Sequence, residues 1–175
     1  MIAQAHVREL HSHEIEEHVD ALVALAQDAV GAGAQLGWEQ PLHPFVARTY
    51  WEERANEVAA GNCAVFATFS GSRLVGTVQL ERGHFEMSRH RGEIAKLIVH
   101  TQFRRQGMAL QLMSALERYA SANGIDLLFL DTRPGEPVEH LYRALGYTAT
   151  GFIPNWLKAS DGTFRDNVFY YKVLT

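Results

Sequence analysis

Ile94-Ala-Lys-Leu-Ile-Val-His-Thr-Gln-Phe-Arg-Arg-Gln-Gly-Met-Ala109 is an apolar strand that runs into a basic, glycine-containing turn, with a helix directly behind it. Arg104, Gly107 and Ala109 fit the spacing Arg/Gln-x-x-Gly-x-Gly/Ala. Gly107 can take positive φ without a Cβ penalty. Successive N–H groups can then converge on phosphate oxygens at the positive end of the following helix. Small Ala109 lets a diphosphate approach, and Arg104 and Arg105 add charge. Taken alone, six residues fit a plain strand-to-helix turn with solvated arginines equally well. The surrounding chain decides between them.

Upstream, residues 3–9 read as a short first strand. Ile15, Val19, Leu22, Val23 and Ala26 recur at helical spacing and predict a helix over 13–30. Gly31, Gly33 and Gly37 break the chain into a loop, and a second helix follows Pro44 and ends near Gly61. Residues 63–69 and 73–80 are apolar and β-branched around Ser70-Gly-Ser, which predicts a hairpin. The next strand covers 92–100.

Downstream, Leu112, Met113, Leu116, Tyr119 and Ala120 make one apolar face of a helix over 105–123, which Gly124 stops. The nearly all-apolar run 127–131 suits a strand covered on both faces. A short helix over 137–145 ends at Gly146. Residues 147–153 and 164–173 read as a closing hairpin whose connection holds Asp161-Gly162. The order β-α-α-β-β-β-α-β-α-β-β predicts an α/β fold, a mixed sheet with helices on both faces. Length favours one domain spanning 1–175.

Composition limits the function. Hydrophobic residues make up 47% and charged residues 21% of 175, ordinary for a soluble globular chain. A net charge of −4 argues against nonspecific nucleic-acid binding. No apolar run is long enough to span a bilayer. The first residues lack the charged-then-apolar order of a signal peptide. Cys63 is the only cysteine, so no intramolecular disulfide can form, and the expected location is cytoplasmic. Oligomeric state stays open, a homodimer included.

The strand, turn and amphipathic helix, the later strand ending in Asp131-Thr132, and the segment His140-Leu-Tyr-Arg-Ala-Leu-Gly-Tyr147 occur in one series. This series resembles the GNAT family of N-acetyltransferases over nearly the whole chain. The resemblance implies that Leu97, Ile98 and Val99 pair their backbone with the pantetheine arm of acetyl-CoA. It further implies that Arg104, Arg105, Gln106, Gly107, Met108 and Ala109 grip the diphosphate. Tyr142, in the pattern Leu-Tyr-x-x-Leu-Gly-Tyr/Phe, would sit near the thioester sulfur. Within the family, residues 29–37, Glu93-Ile-Ala-Lys-Leu, 127–132 and Ser160-Asp-Gly-Thr-Phe resemble the tabtoxin-resistance acetyltransferases, which acetylate the amine of a β-lactam toxin. By that resemblance Glu93, Asp131 and Tyr142 are the active-site residues.

The implied chemistry is coherent. A primary alkyl amine has a pKa of about 10.4 and arrives protonated. Glu93 or Asp131 can attract it and take its proton, directly or through water. A Tyr142 phenol with a pKa of roughly 10 exceeds a thiol's ~8.5, stays protonated, and can donate to the leaving sulfur. A backbone N–H near 97–99 would serve the oxyanion. Each residue also has a plainer role available: Glu93 as a solvated strand residue, Asp131 as a cap of the following turn, Tyr142 as helix core.

Other patterns carry less. His13-Glu-Ile-Glu-Glu-His18 spaces its histidines five apart, which turns the second roughly 140° away from the first, so no metal is expected. Gly31, Gly33 and Gly37 follow a helix and form no dinucleotide fingerprint. Cys63 reads as a small core residue and Tyr50 and Trp51 as helix packing. Trp38 and Trp156 fall in predicted loops and are the better candidates for an acceptor pocket. The expected reaction is direct transfer from acetyl-CoA to a small-molecule amine. A protein or peptide amine as acceptor, or a noncatalytic CoA-binding domain, are the alternatives.

Overall fold

The computed structural model describes residues 5–174. Strand β1 (Ala5–Leu10) is followed by three helices, α1 (Ser12–Glu17), α2 (Val19–Gly31) and α3 (Pro44–Ala59). Positions 3 and 4 of the expected first strand lie outside the described residues. Strands β2 (Cys63–Ser70), β3 (Arg73–Arg82) and β4 (Arg91–Val99) come next. Helix α4 (Met108–Ala122), strand β5 (Leu127–Thr132) and helix α5 (Val138–Ala144) follow, and β6 (Thr148–Lys158) and β7 (Phe164–Val173) close the chain. The seven strands form one sheet in the order β1-β2-β3-β4-β5-β7-β6, antiparallel except where β4 meets β5.

Alternation along β2 separates two cores. Val65, Ala67 and Phe69 join Leu22, Ala26 and Trp51 beneath α1–α3. Ala64 and Phe66 join Leu112, Leu116, Leu128 and Tyr170 beneath α4 and α5. Helix α3 buries only the stripe Ala47, Trp51 and Ala55, one residue per turn. Trp51 is fully buried and anchors that stripe; truncating such a side chain to alanine costs about 3–5 kcal/mol. Pro44 occupies the first turn of α3, and the His43 ring accepts the Phe45 N–H. The stripe on α4 is wider, with Met108, Leu112, Met113, Leu116 and Ala120 buried.

Three expected boundaries move. The helix over 13–30 is two helices joined at His18, whose φ of −99° and ψ of 9° lie outside the α-helical range. The helix expected from 105 starts at Met108, because Arg105 (φ 62°) and Gly107 (φ 80°) are left-handed. Strand β6 runs on to Lys158, so Trp156 belongs to a strand rather than a loop. Cys63 is buried, as expected of a core residue. Among the described residues no helix is long and apolar enough to cross a membrane.

Candidate active site

Strands β4 and β5 pair in parallel only from Arg91 to Glu93, opposite Leu127 to Phe129. Beyond Glu93 they part, and the β5-facing edge of residues 94–99 has no strand partner among the described residues. The backbone polar groups along such an edge can pair with an extended ligand. A bulge sits on the same stretch. Ala95 pairs with Gln79 and Ile98 with Thr77, so Val78 alone stands against Lys96 and Leu97. Lys96 has φ 51°. Ile94 therefore packs into the core under α4, while Ile98 packs into the core under α1–α3. In an unbroken strand two residues four apart would share one face.

The bulge gathers charge in the gap. Glu93 lies directly opposite Glu81 of β3. Like charges so placed repel, and Arg54 of α3 offsets this by pairing with Glu81 at 3.2 Å. Asp131 stands two residues beyond Phe129 on β5 and accepts a hydrogen bond from the Asn167 amide of β7. Burial, reinforced by Glu81 and Asp131, raises the Glu93 carboxyl above its ordinary range. Burial raises Asp131 too, against the opposing pull of Asn167 and Lys96. The Lys96 ammonium lies 4.9 Å from the centroids of both the Trp38 and Tyr50 rings. Those rings meet edge to face at 5.0 Å, and the Tyr50 hydroxyl donates to Gln79 Oε1 at 2.7 Å.

Tyr142 faces this group from α5. It is 6% exposed, and its ring lies 5.8 Å from that of Tyr170 and 6.1 Å from that of Tyr147. Burial first, then the Asp131 charge, pushes its phenol well above the ordinary value. Glu139, one turn earlier on the helix, fixes α5 in place. Its carboxylate accepts from the Tyr170 hydroxyl, the Arg143 guanidinium and the Gly135 N–H.

The basic turn follows β4 immediately. Asp28 of α2 accepts both the N–H and the hydroxyl of Thr101, each at 2.8 Å, and so ties the turn to the helical layer. The Arg104 Nε donates to the Val99 carbonyl at 3.1 Å, which directs that side chain back along β4. Arg105, Gln106 and Gly107 are exposed. Arg105 and Gly107 both have left-handed backbone, the kind from which anion-binding concavities of N–H groups are built, and they stand just ahead of α4. The chemistry of this turn fits a diphosphate: two left-handed residues, an exposed arginine and a helix N-terminus follow the strand edge.

The fold thus brings Asp131 within charge range of both Glu93 and the buried Tyr142 where β4 and β5 part, with 97–99 along the parted edge and 104–109 beyond its end. Sequence reasoning missed Lys96, Glu81, Gln79 and Asn167, and it read Tyr50 as packing. Tyr50 does pack against the core beneath α1–α3, and its ring, with that of Trp38, also flanks Lys96. Trp156 is about half exposed and rests edge-on against Phe169 at 5.1 Å, the residue opposite Asp131. Of the two spaced histidines, His18 lies against Phe69, while His13 is exposed and its ring stacks on that of exposed His11.

Comparison with known proteins bears on the family and the fold. The profile of the Acetyltransferase (GNAT) family matches residues 32–147. Among solved structures, an N-acetyltransferase of Staphylococcus aureus Mu50 superposes with a TM-score of 0.81 at 18% identity, covering 98% of this chain and 99% of that one. A ribosomal-protein-alanine N-acetyltransferase of Brucella melitensis gives 0.80 at 23% identity, over 97% and 99%. A Salmonella typhimurium protein described as an acetyltransferase and solved with its cofactor acetyl-CoA gives 0.78 at 17% identity, over 98% and 95%. At these identities the likeness speaks for the fold.

Proposed function

The chain belongs to the GNAT family of acetyltransferases, and from that premise we propose that it moves the acetyl group of acetyl-CoA to the amine of a small molecule, in one step within a ternary complex. One contact carries the choice of a small acceptor. The Ser160 N–H donates to the Glu39 carboxylate at 2.6 Å, joining the β6–β7 turn to the loop that holds Trp38. Trp38 in turn touches Lys96 and Tyr50. The contact ties two loops together beside Trp38, and such an enclosure suits a compact amine better than a peptide chain laid across the protein. The narrower version of this reading takes the amine of a β-lactam toxin or a related amino compound as the acceptor.

In this reading the turn at 104–109 and the N-terminus of α4 hold the diphosphate, and the open edge at 97–99 aligns the pantetheine arm. Glu93 and Asp131 draw in the ammonium, and one of them takes its proton. Backbone N–H groups beside the bulge receive the oxyanion. Burial refines the role of Tyr142. A phenol held above its ordinary value is a weaker acid than a thiol, so it stabilises the leaving sulfur by donating a hydrogen bond and keeps its own proton. Cys63 lies buried on β2 with its thiol pushed up to about 12, chiefly by burial, which leaves it unsuited to carry an acetyl group. This supports direct transfer. A single catalytic unit over 1–175, working in the cytoplasm, is part of the same proposal.

The test is thiol release from acetyl-CoA with a panel of small amines, β-lactam amino compounds among them, beside peptides with a free N-terminal alanine. Turnover with small amines and none with peptides is expected. Turnover with peptides alone would transfer the reading to a protein acceptor. CoA binding without turnover of any amine would leave a binding domain.

A further inference from the structure

The site described above is an ammonium site: two aromatic faces at right angles, with the carboxylates Glu93 and Asp131 nearby. In the free protein the ammonium within it belongs to the chain. Lys96 reaches it from the bulge of β4, the segment next to the proposed thioester.

The chain has three lysines, and their surroundings differ sharply. Lys172 is tied to Glu117 at 2.7 Å. Lys158 is exposed at the end of β6, above the Phe164 ring. Lys96 is half-buried, with no carboxylate within 4.0 Å and no hydrogen-bond acceptor among the described residues. The charged and titratable groups around it are Arg54 and Tyr50 from α3, Glu81 from β3, Glu93 from its own strand and Asp131 from β5. Its four-carbon stem is flexible, and cation–π contact with the longer-range pull of the carboxylates holds the head in place. That contact weakens once the amine is neutral. Burial lowers the Lys96 pKa, against the nearby carboxylates, so more of the nucleophilic free amine is present than on a solvated lysine.

We propose that Lys96 is an acetylation site of the protein itself, its ε-amine accepting the acetyl group of bound acetyl-CoA when no external amine fills the cleft. This rests on the acetyl-CoA reading above. The neutral Nζ attacks the thioester carbonyl carbon. The Nζ–C bond forms, the C–S bond breaks, and its electron pair leaves with the sulfur. The proton lost from Nζ passes to Glu93, Asp131 or water. The products are Nε-acetyl-Lys96 and CoA, with no further reagent required. Acetylation removes the cation from between Trp38 and Tyr50 and leaves Glu93 and Asp131 without its balancing charge.

The full chain is incubated with acetyl-CoA and no acceptor, and the tryptic peptides are followed by mass spectrometry. The expected result is the mass of one acetyl group on Lys96, forming at least about tenfold faster than on Lys158, since positioning favours the former. Lys96→Arg, which keeps the positive charge, should abolish the site-specific gain and leave the slow reaction at Lys158 unchanged. Equal rates at Lys96 and Lys158 would mean solution chemistry and would overturn the proposal. An unmodified Lys96 in a protein that turns over small amines would overturn it while leaving the enzymatic reading intact. Absence of CoA binding by calorimetry would bring both down.

Discussion

Glu93 is the last residue of β4 to pair with β5, and Asp131 stands two residues past its partner Phe129, so the two carboxylates mark the point where the parallel strands separate. Each raises questions of charge that its own strand cannot answer. Burial, then repulsion from Glu81 and Asp131, hold the Glu93 carboxyl above its ordinary range, and Lys96 offsets only part of this.

The pH dependence follows from that shift. A carboxyl whose folded pKa is raised favours the folded state while protonated. Its contribution is fully present below the unfolded pKa and is lost as pH rises through the folded value. Glu93→Gln should therefore melt higher than the parent at pH 7, on the order of 2 °C, with the difference vanishing near pH 4. The same variant should lose about 100-fold or more in kcat/KM at pH 7 if Glu93 takes the proton. The acid limb of the parent's kcat/KM profile should lie above the ordinary carboxylate range. Melting curves and rate profiles across pH 4–8 check all three; equal melting points at both pH values would contradict the assigned repulsion.

Gly107 has φ 80°, and a Cβ placed there would meet nothing within 4 Å. Any cost of substitution is therefore conformational. A left-handed L-residue costs roughly 1–2 kcal/mol. Gly107→Val should weaken CoA binding about 5- to 30-fold, and Gly107→Asn, which tolerates this conformation, should recover most of the loss. Calorimetric titration with CoA measures both. Unchanged binding in the valine variant would remove the turn from the diphosphate site.

Tyr142→Phe deletes one hydroxyl from a buried ring and leaves the packing with Tyr147 and Tyr170 in place. The loss should appear in kcat, on the order of 100-fold, with KM for acetyl-CoA little changed. Because the phenol stays protonated throughout, the basic limb of the parent's profile should not depend on Tyr142. Steady-state kinetics separate the cases: a higher KM at constant kcat would make Tyr142 a binding residue.

Cys63 should be silent. Its thiol is buried and pushed up to about 12, so iodoacetamide at pH 8 should label the unfolded chain and spare the native one. Cys63→Ala should keep full turnover at a cost of about 1 kcal/mol in stability. Loss of turnover in that variant would argue for a covalent acetyl intermediate.

The sequence alone determined what depends on local rules. The apolar run before Arg104, the glycine at 107 and the amphipathic stripe of α4 are written in neighbouring residues, because strand pleat, left-handed backbone and helical period are short-range properties. They carried the strand–turn–helix unit and, through the family resemblance, the positions of Glu93, Asp131 and Tyr142. Tertiary structure alone decided which side chains share the gap. Lys96 faces Trp38 and Tyr50 because β3 supplies one residue, Val78, against two of β4. That mismatch belongs to a pair of strands and leaves no mark in the alternation of either one. Tyr50 packs against the core as its place in α3 predicts, but only the approach of distant segments sets its hydroxyl on Gln79 of β3 and its ring beside Lys96. The raised carboxyls of Glu93 and Asp131 have the same origin: burial and approach between distant segments set them, and no residue type specifies either in advance.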